Sequence, residues 1–158
     1  MSEYIEKGQV APEITLPNQD GQDVELKHYL GSWVVLFFYP KDLTPGCTVE
    51  ACDFSDSYRE LTQIGVQVFG ISKDTVKKHK DFWNKYSFPY DLLSDQEGDV
   101  CERYGVWQEK SMFGKRYFGI ARTTYIIDPK GDVARVFSDV KVTGHVSEVK
   151  KAVIELQG

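Results

Sequence analysis

The chain has 158 residues, 41% of them hydrophobic and 27% charged, and a formal net charge of −5. That size suits one domain, 1–158, with a real core, and the composition is that of an ordinary globular protein. Lysine and arginine are spread rather than clustered, which speaks against nucleic acid as a partner; no apolar run approaches the ~18 residues of a membrane span.

The N-terminus, MSEYIEKGQV, lacks the charged start and apolar core of a secretory signal, so a cytoplasmic protein is expected. In chain order, APEITLPNQDGQDVEL reads as two short strands around a turn at Asn18–Gly21. Trp33–Tyr39 is continuously apolar and rich in β-branched and aromatic residues, the pattern of a central strand buried on both faces. A helix is expected from about Pro45 to Leu61, a second buried strand at Val66–Ser72, and a helix over Thr75–Tyr86. Asp91–Leu93 reads as a short strand, followed by a helix from about Glu97 to Tyr104. Thr123–Asp128 and Val133–Ser138 flank the turn signal DPKG and should pair as a hairpin, before a last helix over Val146–Leu156. The order βαβα, hairpin, helix predicts an α/β thioredoxin-like fold: a central mixed sheet flanked by helices, with an N-terminal β-hairpin. Such sheets take ligands beyond the carboxyl ends of their strands, where the stretch YPKDLTPGCTVEACDF (Tyr39–Phe54) falls.

That stretch holds two of the three cysteines. In a cytosolic chain, cysteine motifs speak for catalysis or metal binding rather than a disulfide framework. With Thr44 as N-cap and Pro45 at the first helical position, Cys47 lands in the first turn, where free N–H groups and the helix dipole favour negative charge. It is therefore a candidate nucleophile. At ~100° per residue, Cys47 shares a face with Glu50, Ala51, Phe54, Tyr58 and Leu61, while Cys52 falls near Asp56 and Arg59. Cys47 should look into the protein and Cys52 towards solvent. Five residues along an ideal helix separate their Cα atoms by ~8–9 Å. A disulfide needs less than about 7 Å, so a redox pair here requires the first turns to unwind.

Cys101, within GDVCERYGV, has nothing around it that suggests activation and reads as core. A zinc site needs four ligands, usually in short-range pairs; His28, His79 and His145 are scattered and read as solvated, so no metal is expected. Trp33, Trp83 and Trp107 read as core.

Pro40, Thr44 and Cys47 form P-x-x-x-T-x-x-C, which resembles the active-site signature of the peroxiredoxins. The C-x-x-x-x-C spacing to Cys52 and the stretch EKSMFGKRYFGIARTTYIIDPKG are similar to the Q-type, or bacterioferritin-comigratory, group. The resemblance covers essentially the whole chain. It implies a thiol peroxidase acting on hydrogen peroxide and organic hydroperoxides, with Cys47 as the peroxidatic cysteine and Cys52 as the resolving one. It implies that Arg122 stabilises the thiolate and the developing charge, that Thr44 hydrogen-bonds thiolate and peroxide, and that Pro40 shields the pocket. Glu50, one turn after Cys47, would hold Arg122. A thioredoxin-like or glutaredoxin-like reductant would restore the thiols, no metal, haem or flavin is implied, and the group's habit favours a monomer over a dimer. Lys110–Tyr117 is expected near the pocket mouth.

Two rivals remain at this level. A thioredoxin-like disulfide reductase normally needs CxxC, which the chain lacks. A peroxide sensor or redox-switched binding protein would use the same sulfenic acid.

Overall fold

The computed structural model describes residues 3–158. Its centre is a five-stranded mixed sheet formed by β3 (Trp33–Phe38), β4 (Val66–Ser72), β5 (Asp91–Ser94), β8 (Thr123–Ile127) and β9 (Val133–Phe137), in the order β5-β4-β3-β8-β9. β3 pairs parallel to β4 and antiparallel to β8, so it is the seam between a parallel βαβ half and an antiparallel half. The N-terminal hairpin pairs β1 (Thr15–Pro17) with β2 (Asp23–Glu25). This is the expected thioredoxin-like arrangement.

The alternation along β3 explains why both faces are covered. Val34, Leu36 and Phe38 enter one apolar cluster with Tyr104 and Tyr125, while Val35, Phe37 and Tyr39 enter the other, under the helices. The second cluster receives Cys47, Ala51, Phe54 and Leu61 from α1 (Pro45–Gln63), and Val149 and Val153 from α4 (His145–Gln157). Phe37 stacks on Phe54 with ring centroids 4.6 Å apart, tying α1 to the strand that precedes it. α2 (Val76–Tyr86) starts at a true side-chain cap, Thr75 Oγ1 accepting from the Lys78 N–H, and ends at Ser87 in the left-handed region.

Several expectations need correction. The helix after β5 is one turn only, α3 (Val100–Arg103), and a 3-10 turn at Leu26–Tyr29 was not foreseen. Trp107–Met112 (β6) and Lys115–Ile120 (β7) form a separate two-stranded hairpin, in a stretch to which the sequence assigns no element. His79 and His145 are buried rather than solvated, because each lies on the inward side of its helix with a hydrogen-bond partner waiting there. His145 Nε2 shares a bond of 2.7 Å with the Thr124 hydroxyl; burial and the Arg122 charge lower its pKa to about 4, so it stays neutral. Trp33, Trp83 and Trp107 are only partly buried, packing on the core's edge.

Gly70 in β4 lets two layers meet: a Cβ there would lie 2.7 Å from Phe37 Cζ and 2.9 Å from Leu92 Cδ2. Gly70→Ala should therefore lower stability by about 1–3 kcal/mol through overpacking, as read by urea unfolding. A neutral result would mean that Phe37 is free to move away from the helix it anchors.

Candidate active site

The site forms where β3 ends and α1 begins. Tyr39 is still tied to the sheet, its N–H donating to the Ile71 carbonyl at 3.1 Å, and the chain then crosses Pro40–Thr44 before Pro45 opens the helix. Thr44 occupies the N-cap with extended backbone, and its carbonyl accepts the first helical bond from the Thr48 N–H at 2.9 Å. Its hydroxyl does not cap, however; it donates back to the Lys41 carbonyl at 2.8 Å. The Thr44 side chain thus satisfies none of the first-turn N–H groups of the helix that carries Cys47. Leu43, just before the cap, has φ of 64°, an uncommon conformation for a residue with a branched side chain.

Cys47 is buried and free. Arg122, in the short link between β7 and β8, reaches it from across the sheet: Nη2 lies 3.4 Å from Cys47 Sγ, and Nη1 donates to Glu50 Oε1 at 2.7 Å. Gly46 permits this approach, since a Cβ there would sit 3.3 Å from Arg122 Nη2. Arg122 is positioned by its own backbone, its carbonyl accepting from the Val140 N–H. The row Glu50–Arg122–Cys47 therefore joins three of the residues singled out from the sequence. Pro40 is exposed and sits at the rim of an adjoining cleft of about 340 Å³ shared with Lys41, Trp107, Lys110, Tyr117 and Phe118. Of the expected mouth segment, the two ends line this cleft, while Phe113 stands at the hairpin tip, 98% exposed.

Glu50 is fully buried, and its second oxygen, Oε2, has no hydrogen-bond partner. Burial opposes its charge more strongly than Arg122 supports it, and the pKa is raised to about 7. Arg122 is nevertheless held firmly charged: burial works against it, but Glu50 and Cys47 outweigh that. Cys52, one and a half turns on, is half-buried rather than turned fully to solvent, packing on the edge of the helix-side cluster. Its thiol pKa is raised by burial, then by Asp56 and Asp53, so Cys52 stays protonated while the helix is closed. Cys101 lies in the opposite cluster, its thiol pushed far up by burial and by Asp95. The one group of metal-type donors among the described residues is Asp42, Asp74 and His79, with ligand atoms within 4.8 Å of one another. Those atoms are already hydrogen-bonded among themselves and to neighbouring residues. The sequence does not single out Asp42 and marks His79 as solvated, because only the fold brings position 79 beside position 42.

A thioredoxin-like sheet that sets a buried thiol against an arginine at the start of a helix defines a thiol peroxidase. The chain belongs to the AhpC/TSA family, whose model matches residues 7–136, and within it to the Bcp, or Q-type, peroxiredoxins. It is 53% identical over 145 residues to the bcp protein of Coxiella burnetii, covering 92% of this chain and 96% of that one. Peroxiredoxin Bcp of Escherichia coli K12 is 45% identical over 141 residues, with 89% and 90% covered. Among solved structures, the Xanthomonas campestris bacterioferritin comigratory protein superposes with a TM-score of 0.91 at 34% identity, covering 97% of this chain and all of that one. That protein was solved in trapped intermediate and ligand complexes bearing on alkyl peroxide reduction.

The Glu50 carboxyl makes a pH prediction. Its folded pKa, about 7, exceeds its ordinary value of 4.5, so the unfolded chain releases this proton first as pH rises. Its contribution is fully present below pH 4.5 and is lost as pH climbs to about 7, by up to about 3 kcal/mol. Urea unfolding between pH 5 and 8 should show this decline in the wild type and a flatter profile in Glu50→Gln. Equal slopes would contradict the assignment.

Proposed function

We propose that the protein reduces hydrogen peroxide and organic hydroperoxides through Cys47, with Cys52 closing the cycle. The observation that carries this reading is the buried Cys47 sulfur 3.4 Å from a guanidinium that Glu50 holds on its other side. The Cys47 thiolate attacks the terminal peroxide oxygen; the O–O bond breaks, sulfur takes the hydroxyl as sulfenic acid, and the leaving oxygen departs with a proton as water or alcohol. Arg122 faces the sulfur and so can follow the negative charge as it passes to the two oxygens. Pro40 lines the adjoining cleft and Thr44 occupies the N-cap three residues before Cys47, and in this reading the Thr44 hydroxyl exchanges its bond to Lys41 for one to the peroxide. The cleft sets Trp107, Tyr117, Phe118 and Ile120 beside Lys41, Lys73 and Lys110, a mixed lining whose apolar part suits the organic group of a hydroperoxide; the reduction of alkyl peroxides by the Xanthomonas relative supports this substrate class.

The second step needs movement. Both cysteines sit in one intact helix, where an ideal geometry separates their Cα atoms by ~8–9 Å, beyond disulfide reach. Once the first turns open, Cys52 attacks the Cys47 sulfenic sulfur, the S–S bond forms and water leaves. Opening also takes Cys52 away from the environment that keeps it protonated. A thioredoxin-like or glutaredoxin-like dithiol then reduces the bond by exchange and is itself oxidised. The cycle calls on no metal or organic cofactor, works within one chain, and fits a monomer.

Steady-state peroxide consumption with thioredoxin and its reductase tests the reading. Cys47→Ser should abolish turnover, while Cys52→Ser should undergo one oxidation and stop at the sulfenic acid, detectable by mass spectrometry. Retained turnover in Cys47→Ser, or a Cys47–Cys101 bond in the oxidised wild type, would overturn it. A single turnover in the wild type would favour a peroxide sensor instead.

A further inference from the structure

The exposed loop that leads into the site has one buried member. Pro40, Lys41 and Leu43 face solvent, whereas Asp42 is 5% exposed and carries three hydrogen bonds. Its Oδ1 accepts from the Tyr39 hydroxyl at 2.6 Å, its Oδ2 lies 2.6 Å from His79 Nδ1, and its N–H donates to Asp74 Oδ2 at 2.8 Å. Asp74 is in turn fixed by the Ser72 hydroxyl, so the loop is bolted to the end of β4 and to α2 together.

A count of protons shows how firmly. The Leu93 carbonyl, 2.9 Å from His79 Nε2, can only accept, so that nitrogen carries hydrogen. One further proton then bridges Nδ1 and Oδ2, and the Asp42–His79 pair is neutral as a unit whichever atom owns it. His79 is wholly buried, and Tyr39 is kept protonated by burial and by Asp42, so every polar atom of the pair has a partner. Between Asp42 and Cys47 no side chain is buried. Leu43 is 45% exposed in a left-handed conformation, the Thr44 side chain does not cap, and Pro45 and Gly46 are exposed. The next buried attachments are Cys47 and Glu50, both on Arg122, followed by Ala51, whose carbonyl accepts from the Tyr90 hydroxyl at 2.6 Å.

We infer that Asp42, held by His79 and Tyr39, is the fixed post of the active-site loop: it keeps Pro40 and Thr44 in place beside Cys47, and the opening that lets the two cysteines meet begins at Leu43. Asp42 and His79 are thus positioning residues, acting through the loop. The inference rests on the roles of Cys47 and Cys52 proposed above.

The test separates the two chemical steps. The peroxide step is the second-order rate constant of Cys47 oxidation, measured in a Cys52→Ser background. The opening step is the first-order rate of disulfide formation after one peroxide equivalent, with Cys52 present. Asp42→Ala, which strips His79 and Tyr39 of their partner, should slow the peroxide step about tenfold and leave the opening step unchanged or faster. Asp42→Asn can donate to a neutral Nδ1 and accept from Tyr39, so it should stay within about twofold of the wild type in both steps. An unchanged peroxide step, an equal loss in both steps, or Asp42→Asn as impaired as Asp42→Ala overturns the inference. Should Asp42→Ala fail to fold, Tyr39→Phe carries the test: about a threefold loss confined to the peroxide step supports the post, and no loss overturns it. Absence of a Cys47–Cys52 bond in the wild type contradicts the proposed function instead, and the peroxide step remains measurable in the Cys52→Ser background.

Discussion

The site depends on one half-buried cation with two claims on it. Arg122 donates to Glu50 with one guanidinium nitrogen and faces the Cys47 sulfur with the other. Taking Glu50 out of water is expensive, and with Oε2 unpartnered the Arg122 guanidinium is what offsets that cost. Gly46 clears the approach, β3 and α1 set the distance, and the link between β7 and β8 delivers Arg122 from the antiparallel half of the sheet. The seam at β3, parallel on one side and antiparallel on the other, is what lets one strand end face both a helix start and the arginine.

The same helix that builds the site would obstruct the second step of the proposed cycle. While α1 is closed, Cys47 is buried near a positive charge, and Cys52 is kept as a thiol by burial and two aspartates. In the proposed cycle, that division assigns the peroxide to Cys47 and keeps Cys52 in reserve. The closed helix is held by Phe54 on Phe37, by Tyr90 on Ala51, and by the Asp42 attachment of the preceding loop. Its first turn is the least secured part, because Thr44 spends its hydroxyl on Lys41.

Much of this was legible in the residues. A run such as Trp33–Tyr39 admits few readings, and Thr44-Pro45 before Cys47 marks a helix start by the ordinary rules of capping. The β6–β7 hairpin was not legible, since most of its side chains are exposed and leave no apolar alternation. Its turn is Phe113-Gly114, with φ of 53° and 78°, where a sequence signal would need Asn-Gly or Asp-Gly. His79 was misread for another reason. Its polar neighbours, Lys77, Lys78 and Lys80, suggest a solvated face, and Asp42 is 37 residues away in the chain. The lesson of Thr44 is narrower: the N-cap position was right, yet the side chain serves the loop instead of the helix.

The central claim is that α1 must open at its start for the two sulfurs to meet. Hydrogen exchange of the backbone amides over residues 43–51 tests it most directly, comparing reduced protein with protein oxidised by one equivalent of peroxide. The account predicts that protection in this segment falls on oxidation, while the rest of α1 beyond Phe54 keeps its protection. A Cys47–Cys52 disulfide formed with the amide protection of the first turns intact would contradict it.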